Sequence, residues 1–525
     1  MRYAAPLIAA SLLLLPATAA QEQRPIAVDL LIAKGQVIDG TGGAPRIADI
    51  GVRGDRIIFI GKSPGVVARR TMDASGLIVA PGLIDPHTHS RGDALAAAPA
   101  RRILANHLLQ GVTSIVIGND GGGDVDSKAL FDRLATQPAG VNVASFVGFG
   151  EVRGTVVGQR DRVPTGPEQA RMARLVAQAM CDGALGLSAG LYYAPQSFAK
   201  AGEVAGLARV AGRYGGLYET HLRDEGSASI GLMAAIDEAI DIARQGQLPL
   251  HVAHIKALGV DAQGMAPQAI ARIARARASG MQITADQYPW EASSTGLSAA
   301  LVPRHAQDGG NAAMVAKLKA ADAKLREQMT EQLRIRGGAN AILLVSGAHK
   351  GQRLDAIAAA WRISPLDAAI RLLIAEPGAK IASFNMIARD IDAFARQPWV
   401  VGSSDATDGH PRRMGSFARA WRLFVREQRL MTPARFVQRS SAQTAQLLGL
   451  RDRGTLAPGS FADIALFHPA AYREQATYDA PDRPAAGVRY VLVNGTLAVD
   501  NGQLTGAFAG RPLPKPRQPH WNCPR

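Results

Sequence analysis

Two histidines one residue apart, His87 and His89, close the run Ala80-Pro81-Gly82-Leu83-Ile84-Asp85-Pro86. The run reads as a buried strand, where alternate side chains share a face, so both imidazoles point the same way. A histidine pair at the C-terminal edge of a strand suits a divalent cation. Taken alone the pair is weak evidence, and its weight depends on what ends the other strands. Those residues are Asp120, His221, His254 and Asp405, which makes six metal-competent side chains on five strand ends in a chain with only eleven histidines. The expected chemistry is hydrolysis, with a metal activating water and Asp405 moving its proton.

The elements that must position these residues alternate between apolar strand runs and amphipathic helices, the pattern of parallel βα units with helices on both faces of the sheet. Strands are expected at 83–89, 113–119, 141–148, 184–188, 217–221, 250–255, 282–286 and 400–405. Eight strands predict an α/β fold of the (β/α)8 barrel type, whose active sites lie at the C-terminal strand ends. Residues 341–346 and 380–386 are also strand-like, so one of them could displace a member. Segments 25–80 and 454–510 read as short strands with hairpin turns, including Asp39-Gly40, Arg53-Gly54-Asp55 and Asn494-Gly495, and should combine into one small β domain. The barrel then occupies 81–453. Within it an insertion at about 288–347, with a charged helical stretch from Met314 to Arg336, could cover the barrel mouth or stand as a solvent-facing ornament. The Pro/Arg-rich segment 511–525 is expected to be a mobile tail.

Composition narrows the setting. The 525 residues include 55 glycines and only 20% charged side chains, which excludes a disordered chain. Residues 1–20 carry Arg2, an apolar stretch to Leu15 and the small residues Thr18, Ala19 and Ala20, the layout of a cleaved secretory signal. This predicts a periplasmic or secreted protein with no stable membrane insertion. Export also removes nucleic acid as the partner of a net charge of +15. A basic solvated surface is the simplest account of that charge, with anionic polymers or carboxylate substrates as alternatives. The two cysteines, Cys181 and Cys523, are expected as unpaired thiols, although an oxidising compartment allows one bridge.

Several motifs carry a family likeness. Pro81-Gly82-Leu83-Ile84-Asp85-Pro86-His87-Thr88-His89, Tyr218-Glu219-Thr220-His221-Leu222-Arg223-Asp224-Glu225, His251-Val252-Ala253-His254-Ile255-Lys256, Asp286-Gln287-Tyr288-Pro289, and Ser404-Asp405 with Gly409-His410-Pro411-Arg412 resemble the amidohydrolase superfamily, and within it the D-aminoacylases. The resemblance spans about 28–508. It implies zinc-dependent hydrolysis of N-acyl-D-amino acids, a tightly held zinc on His221, His254 and Asp120, and a weaker second position on His87, His89 and Asp405. Tyr288, Arg412 and Ser294 are implied as substrate contacts. Lys256, two residues beyond His254 on the same side of its strand, is a further donor for a substrate carboxylate. This chain departs from the family pattern at Asp120, where a cysteine is usual, and at Phe149, where histidine is common. A carboxylate can bridge metals but is harder than thiolate and holds a soft metal less firmly. Gly118-Asn119-Asp120-Gly121 could also be only a tight turn. Some amidohydrolases use a carboxylated lysine on the fourth strand, and Ala184-Leu185-Gly186-Leu187-Ser188 contains none.

The leading expectation is an exported metallohydrolase acting on a small molecule with a free carboxylate. A dipeptidase of the same fold is the alternative within enzymes, because a dipeptide is also an N-acylated amino acid. A non-catalytic binding protein on the same barrel is a third reading, and the retained Asp405 argues against it. Arg153 and Cys181 are read as structural.

Overall fold

The computed structural model describes Met1 and residues 26–524 except 63, 64 and 321. The signal-like segment 1–20 lies outside the described residues apart from Met1.

Eight parallel strands form the centre. They run Leu83–Asp85, Val112–Ile117, Asn142–Ser145 continuing as Val147–Gly148, Gly186–Gly190, Leu217–His221, Leu250–Val252, Ile283–Gln287 and Val400–Gly402. Each pairs in parallel with its neighbour in chain order. The ring closes between the last strand and the first, where Asp405 N donates to His87 O at 3.0 Å and His89 N to Ala406 O at 3.1 Å. Closure therefore fixes the backbone of three expected metal residues. The strands are almost wholly buried because helices cover them, as parallel sheets require. One such helix, Gly166–Cys181, starts with a reciprocal cap: Glu168 N donates to Thr165 Oγ1 and Thr165 N to Glu168 Oε2.

The chain's two ends share a nine-stranded sheet in which Ile78–Pro81 pairs antiparallel with Ile464–Phe467. The Asn494-Gly495 turn has positive φ at both residues, 49° and 79°, as a two-residue hairpin turn between twisted strands demands.

Strands Ala292–Gly296, Ile342–Leu344 and Lys380–Phe384 form a separate antiparallel sheet inserted between the seventh and eighth barrel strands. The strand-like stretches near 341–346 and 380–386 thus displace no barrel member, and the insertion runs past 347. It has its own core, including Leu301, Met314, Leu318, Met329 and Leu373. The charged stretch is two helices, Gly310–Ala320 and Ala323–Ile335, the second capped by Asp322.

Two expectations are corrected. Cys181 and Cys523 form a disulfide across 342 residues of sequence, so neither is a free thiol. The tail is held in place: Leu513 N donates to Val143 O and Lys515 N to Gly183 O, both at 2.8 Å, and Trp521 is buried edge-on to Tyr214. Short-range composition suggested mobility, but docking on the barrel supplies the missing hydrogen bonds.

Candidate metal centre

All six expected metal residues meet at the C-terminal rim of the barrel. Asp120 is the hub. Its Oδ2 lies 3.8 Å from His221 Nδ1 and 3.5 Å from His254 Nε2, and those two nitrogens are 2.9 Å apart. On the other side its Oδ1 is 3.5 Å from His87 Nε2 and its Oδ2 is 3.5 Å from His89 Nε2. Asp405 Oδ1 closes this second group at 3.8 Å from His87 Nε2 and 3.1 Å from His89 Nε2. Donors about 2.0–2.1 Å from a tetrahedral zinc stand roughly 3.3 Å from one another. The three edges among His221, His254 and Asp120, and the oxygen–nitrogen edges that Asp120 and Asp405 make to His87 and His89, are all near that length.

The backbone is bent to make this arrangement. Asp120, His254 and Asp405 all have positive φ, at 56°, 30° and 46°, a conformation that costs a non-glycine residue roughly 1–3 kcal/mol. The turn that presents Asp120 depends on Gly121, because a Cβ there would sit 2.1 Å from Gln196 Oε1, while Gln196 Nε2 donates to Asp120 O at 2.9 Å. The segment is a tight turn and also the metal-facing turn.

Charge and hydrogen bonding both fit a cation. Asp120, Glu219, Glu225, Asp286 and Asp405 are buried together, and Lys256 and Arg412 are the fixed cations within ion-pair distance of them among the described residues. His87 Nε2, Asp120 Oδ1 and Asp405 Oδ1 are buried without hydrogen-bond partners. Groups of this kind cost free energy unless a ligand engages them. Burial takes the His221 imidazole down to about 3, which leaves its lone pair available. For His254, burial and Lys256 push down, but Asp120 and Glu225 prevail and hold it at about 9. Burial would raise Asp120, yet His87 and His254 hold it well below the ordinary carboxylate range. Carboxylates stand behind the imidazoles, Glu219 Oε1 3.2 Å from His87 Nδ1 and Glu225 Oε1 3.2 Å from His254 Nδ1, while Lys256 Nζ is the hydrogen-bond partner of His254 Nδ1 at 2.7 Å.

The cleft over this cluster is lined by Lys256, Tyr288 and Ser294 among the expected substrate contacts. Lys256 Nζ is paired with Glu225 Oε1 at 2.6 Å. Arg412 lies behind the wall instead of in it, with Nη1 2.8 Å from Asp405 Oδ2 and its guanidinium 4.8 Å from the Tyr288 ring centre. Ser293, Ser294, Thr295 and Arg336 reach the cleft from the insertion, which therefore covers the barrel mouth and is no ornament. Phe149 is buried in the barrel core with Val147 and Leu187, away from the cleft walls. Arg153 is structural, bound to Glu203 Oε1 at 3.0 Å and to the carbonyls of Arg160 and Arg162.

Sequence reasoning gave no role to Glu219, Glu225 or Asp286, although all three stand inside the quoted motifs. It missed Tyr192, Tyr193 and Arg336 altogether. The two tyrosines follow the fourth strand directly, a position that could have flagged them, whereas Arg336 had no local signal.

A closed (β/α)8 barrel with clustered imidazoles and carboxylates at its C-terminal rim defines a metal-dependent hydrolase. Residues 70–499 match the amidohydrolase family, and the chain belongs to it. Two relatives from Alcaligenes xylosoxydans xylosoxydans are similar over most of their length. An N-acyl-D-glutamate deacylase is 34% identical over 89% of this chain and 93% of that protein. A D-aminoacylase is 32% identical over 92% and 97%. The solved N-acyl-D-glutamate deacylase of Bordetella bronchiseptica, in complex with zinc and a phosphonate mimic of the tetrahedral intermediate, is 31% identical with a TM-score of 0.79, covering 93% of this chain and 100% of that one.

Proposed function

We propose that the protein cleaves the amide of N-acyl-D-amino acids to a carboxylate and a free D-amino acid, using zinc held by His221, His254 and Asp120. A weaker second position is formed by His87, His89 and Asp405. The observation that carries this reading is Asp120, whose one carboxylate faces both histidine pairs with Asp405 across from it. The D preference follows the relatives, whose names specify D-amino acids.

A bound divalent cation polarises the acyl carbonyl and brings the pKa of water from 15.7 towards ~7. The chain's residues do the rest. Asp405 is ionised, because burial would raise it but Arg412 and then His89 hold it below the usual carboxylate range. It takes the proton of the attacking water through Oδ1 and delivers it to the departing amine. Lys256, Tyr288 and Ser294 orient the substrate's α-carboxylate from the cleft wall, Arg412 holds Asp405 from behind that wall instead of touching substrate, and the insertion keeps bulk water out.

An exported location belongs to the same proposal. The Cys181–Cys523 bridge supports it, since structural disulfides persist in oxidising compartments. Among the described residues no helix is long and apolar enough to cross a membrane.

Elemental analysis combined with paired D and L panels of N-acetyl-amino acids and Xaa-amino acid dipeptides tests the function. Zinc near one equivalent and turnover of N-acetyl-D-amino acids are expected. Turnover of L-dipeptides alone would transfer the assignment to a dipeptidase.

A further inference from the structure

Two aromatic rings of the cleft wall, Tyr288 and Tyr192, are each met by a pair of cations, of which Lys256 and Arg336 line the cleft itself. At the first, Lys256 and Arg412 face Tyr288, and each is already matched to an acid, Glu225 and Asp405 respectively. At the second, Arg336 and Arg304 face Tyr192, with guanidinium carbons 5.9 and 4.0 Å from the ring centre. Arg336 is different from the other buried cations of the cleft. It is only 3% exposed, it lines the cleft, and no carboxylate among the described residues lies within ion-pair distance of it. Its Nη2 donates to Tyr192 Oη, while its Nη1 is buried with no acceptor at all.

An unmatched buried guanidinium costs several kcal/mol, and a fold keeps one where a ligand supplies the counter-charge. Part of the cost is offset locally. Arg336 follows the C-terminus of helix Ala323–Ile335, where the carbonyl end of the helix favours a cation. None of the helix's last carbonyls accepts a hydrogen bond from Nη1, however. The Tyr192 ring also packs 5.3 Å from the His221 ring, so a single tyrosine separates Arg336 from the metal cluster.

We infer that Arg336, steadied by Tyr192, is an anion subsite for a second carboxylate of the substrate. The substrate class is then N-acyl-amino acids with two acidic groups, one near Tyr288 and one near Tyr192. This rests on the deacylase reading and extends it. Planar, two-pronged donors such as guanidinium suit a carboxylate, and the free Nη1 is the prong left for it. The second carboxylate can come from the amino-acid side chain or from a dicarboxylic acyl group.

The test uses zinc-loaded full-length protein, wild type and the variants Arg336→Met and Arg336→Gln. Substrates are N-acetyl-D-alanine, N-acetyl-D-glutamate and N-succinyl-D-alanine. In wild type at least one diacid should exceed N-acetyl-D-alanine in kcat/KM, and the better diacid names the source of the second carboxylate. In both variants the diacid-to-monoacid ratio should fall by about 10- to 100-fold, the worth of one charge-assisted hydrogen-bonded contact. Calorimetric binding of glutarate, compared with butyrate, should weaken by a similar factor in the variants. Melting temperatures should change little, because the removed charge has no carboxylate partner among the described residues and gives up one hydrogen bond, to Tyr192 Oη. An unchanged ratio, or equal losses on all three substrates, overturns the inference. So does a lowered melting temperature with the ratio intact, which would make Arg336 a structural residue. If no N-acyl-amino acid is hydrolysed, the deacylase proposal fails by itself, and the glutarate comparison still decides the role of Arg336.

Discussion

Replacing Asp405 separates its chemistry from its place in the fold. Arg412 is 1% exposed and rests on Asp405 Oδ2 at 2.8 Å, with Thr407 Oγ1 at 3.2 Å as its other side-chain partner. Asp405→Ala strands that guanidinium and should cost about 3–5 kcal/mol in urea unfolding, the penalty for breaking one side of a buried ion pair. Asp405→Asn keeps the shape and an acceptor oxygen beside Arg412, so its stability loss should be smaller, about 1–3 kcal/mol. The chemical loss is large in both variants. Without the carboxylate no group takes the water's proton, and kcat should drop roughly 10²- to 10⁴-fold, about 3–5 kcal/mol of barrier. The double variant Asp405→Ala/Arg412→Met should regain much of the stability and none of the activity. Steady-state kinetics, zinc content and unfolding midpoints on the four proteins measure each part. Zinc-loaded Asp405→Asn within a few fold of wild-type kcat would refute the proton-shuttle role. A fully stable Asp405→Ala would refute the dependence of Arg412 on its acid.

Three further outcomes are expected. Asp120→Cys should hold zinc at least about tenfold more tightly in competition with a chelator, because thiolate is the softer ligand; weaker binding would mean that the two-oxygen geometry of Asp120 matters more than softness. Cys523→Ser should lower the unfolding free energy by about 2–5 kcal/mol and expose Trp521, and an unchanged melting temperature and tryptophan emission would show the bridge to be dispensable. His107 is buried with Nε2 2.9 Å from Ser90 Oγ, and burial, followed by Arg413, takes it down to about 3. Its folded pKa is below the unfolded value of about 6.5, so its contribution to stability is lost as pH falls below 6.5, by about 1.4 kcal/mol per unit. His107→Gln should flatten the pH dependence of unfolding between pH 6 and 5, and an unaltered slope would exclude His107 as the cause.

The barrel and the six clustered residues were legible in the sequence because a parallel strand buried on both faces reads as a largely apolar run, and five of the eight runs ended in residues that can bind metal. Once such strands close into a ring, their C-terminal residues have one rim to occupy, so His87, His89, Asp120, His221, His254 and Asp405 had to converge. The turn pair Asn494-Gly495 was readable for a similarly local reason, the positive φ that it permits. The Cys181–Cys523 bridge was not legible, since a sequence separation of 342 leaves no local trace of which thiols will meet. Nor was the docking of 511–524, whose hydrogen bonds go to Val143 and Gly183 on the barrel. The same limit hid the match of Arg412 to Asp405 and the lack of any match for Arg336. Local pattern determined which side chains end which strand. Only the packed chain decided which charges meet a partner, because ion pairing depends on distances between segments far apart in sequence.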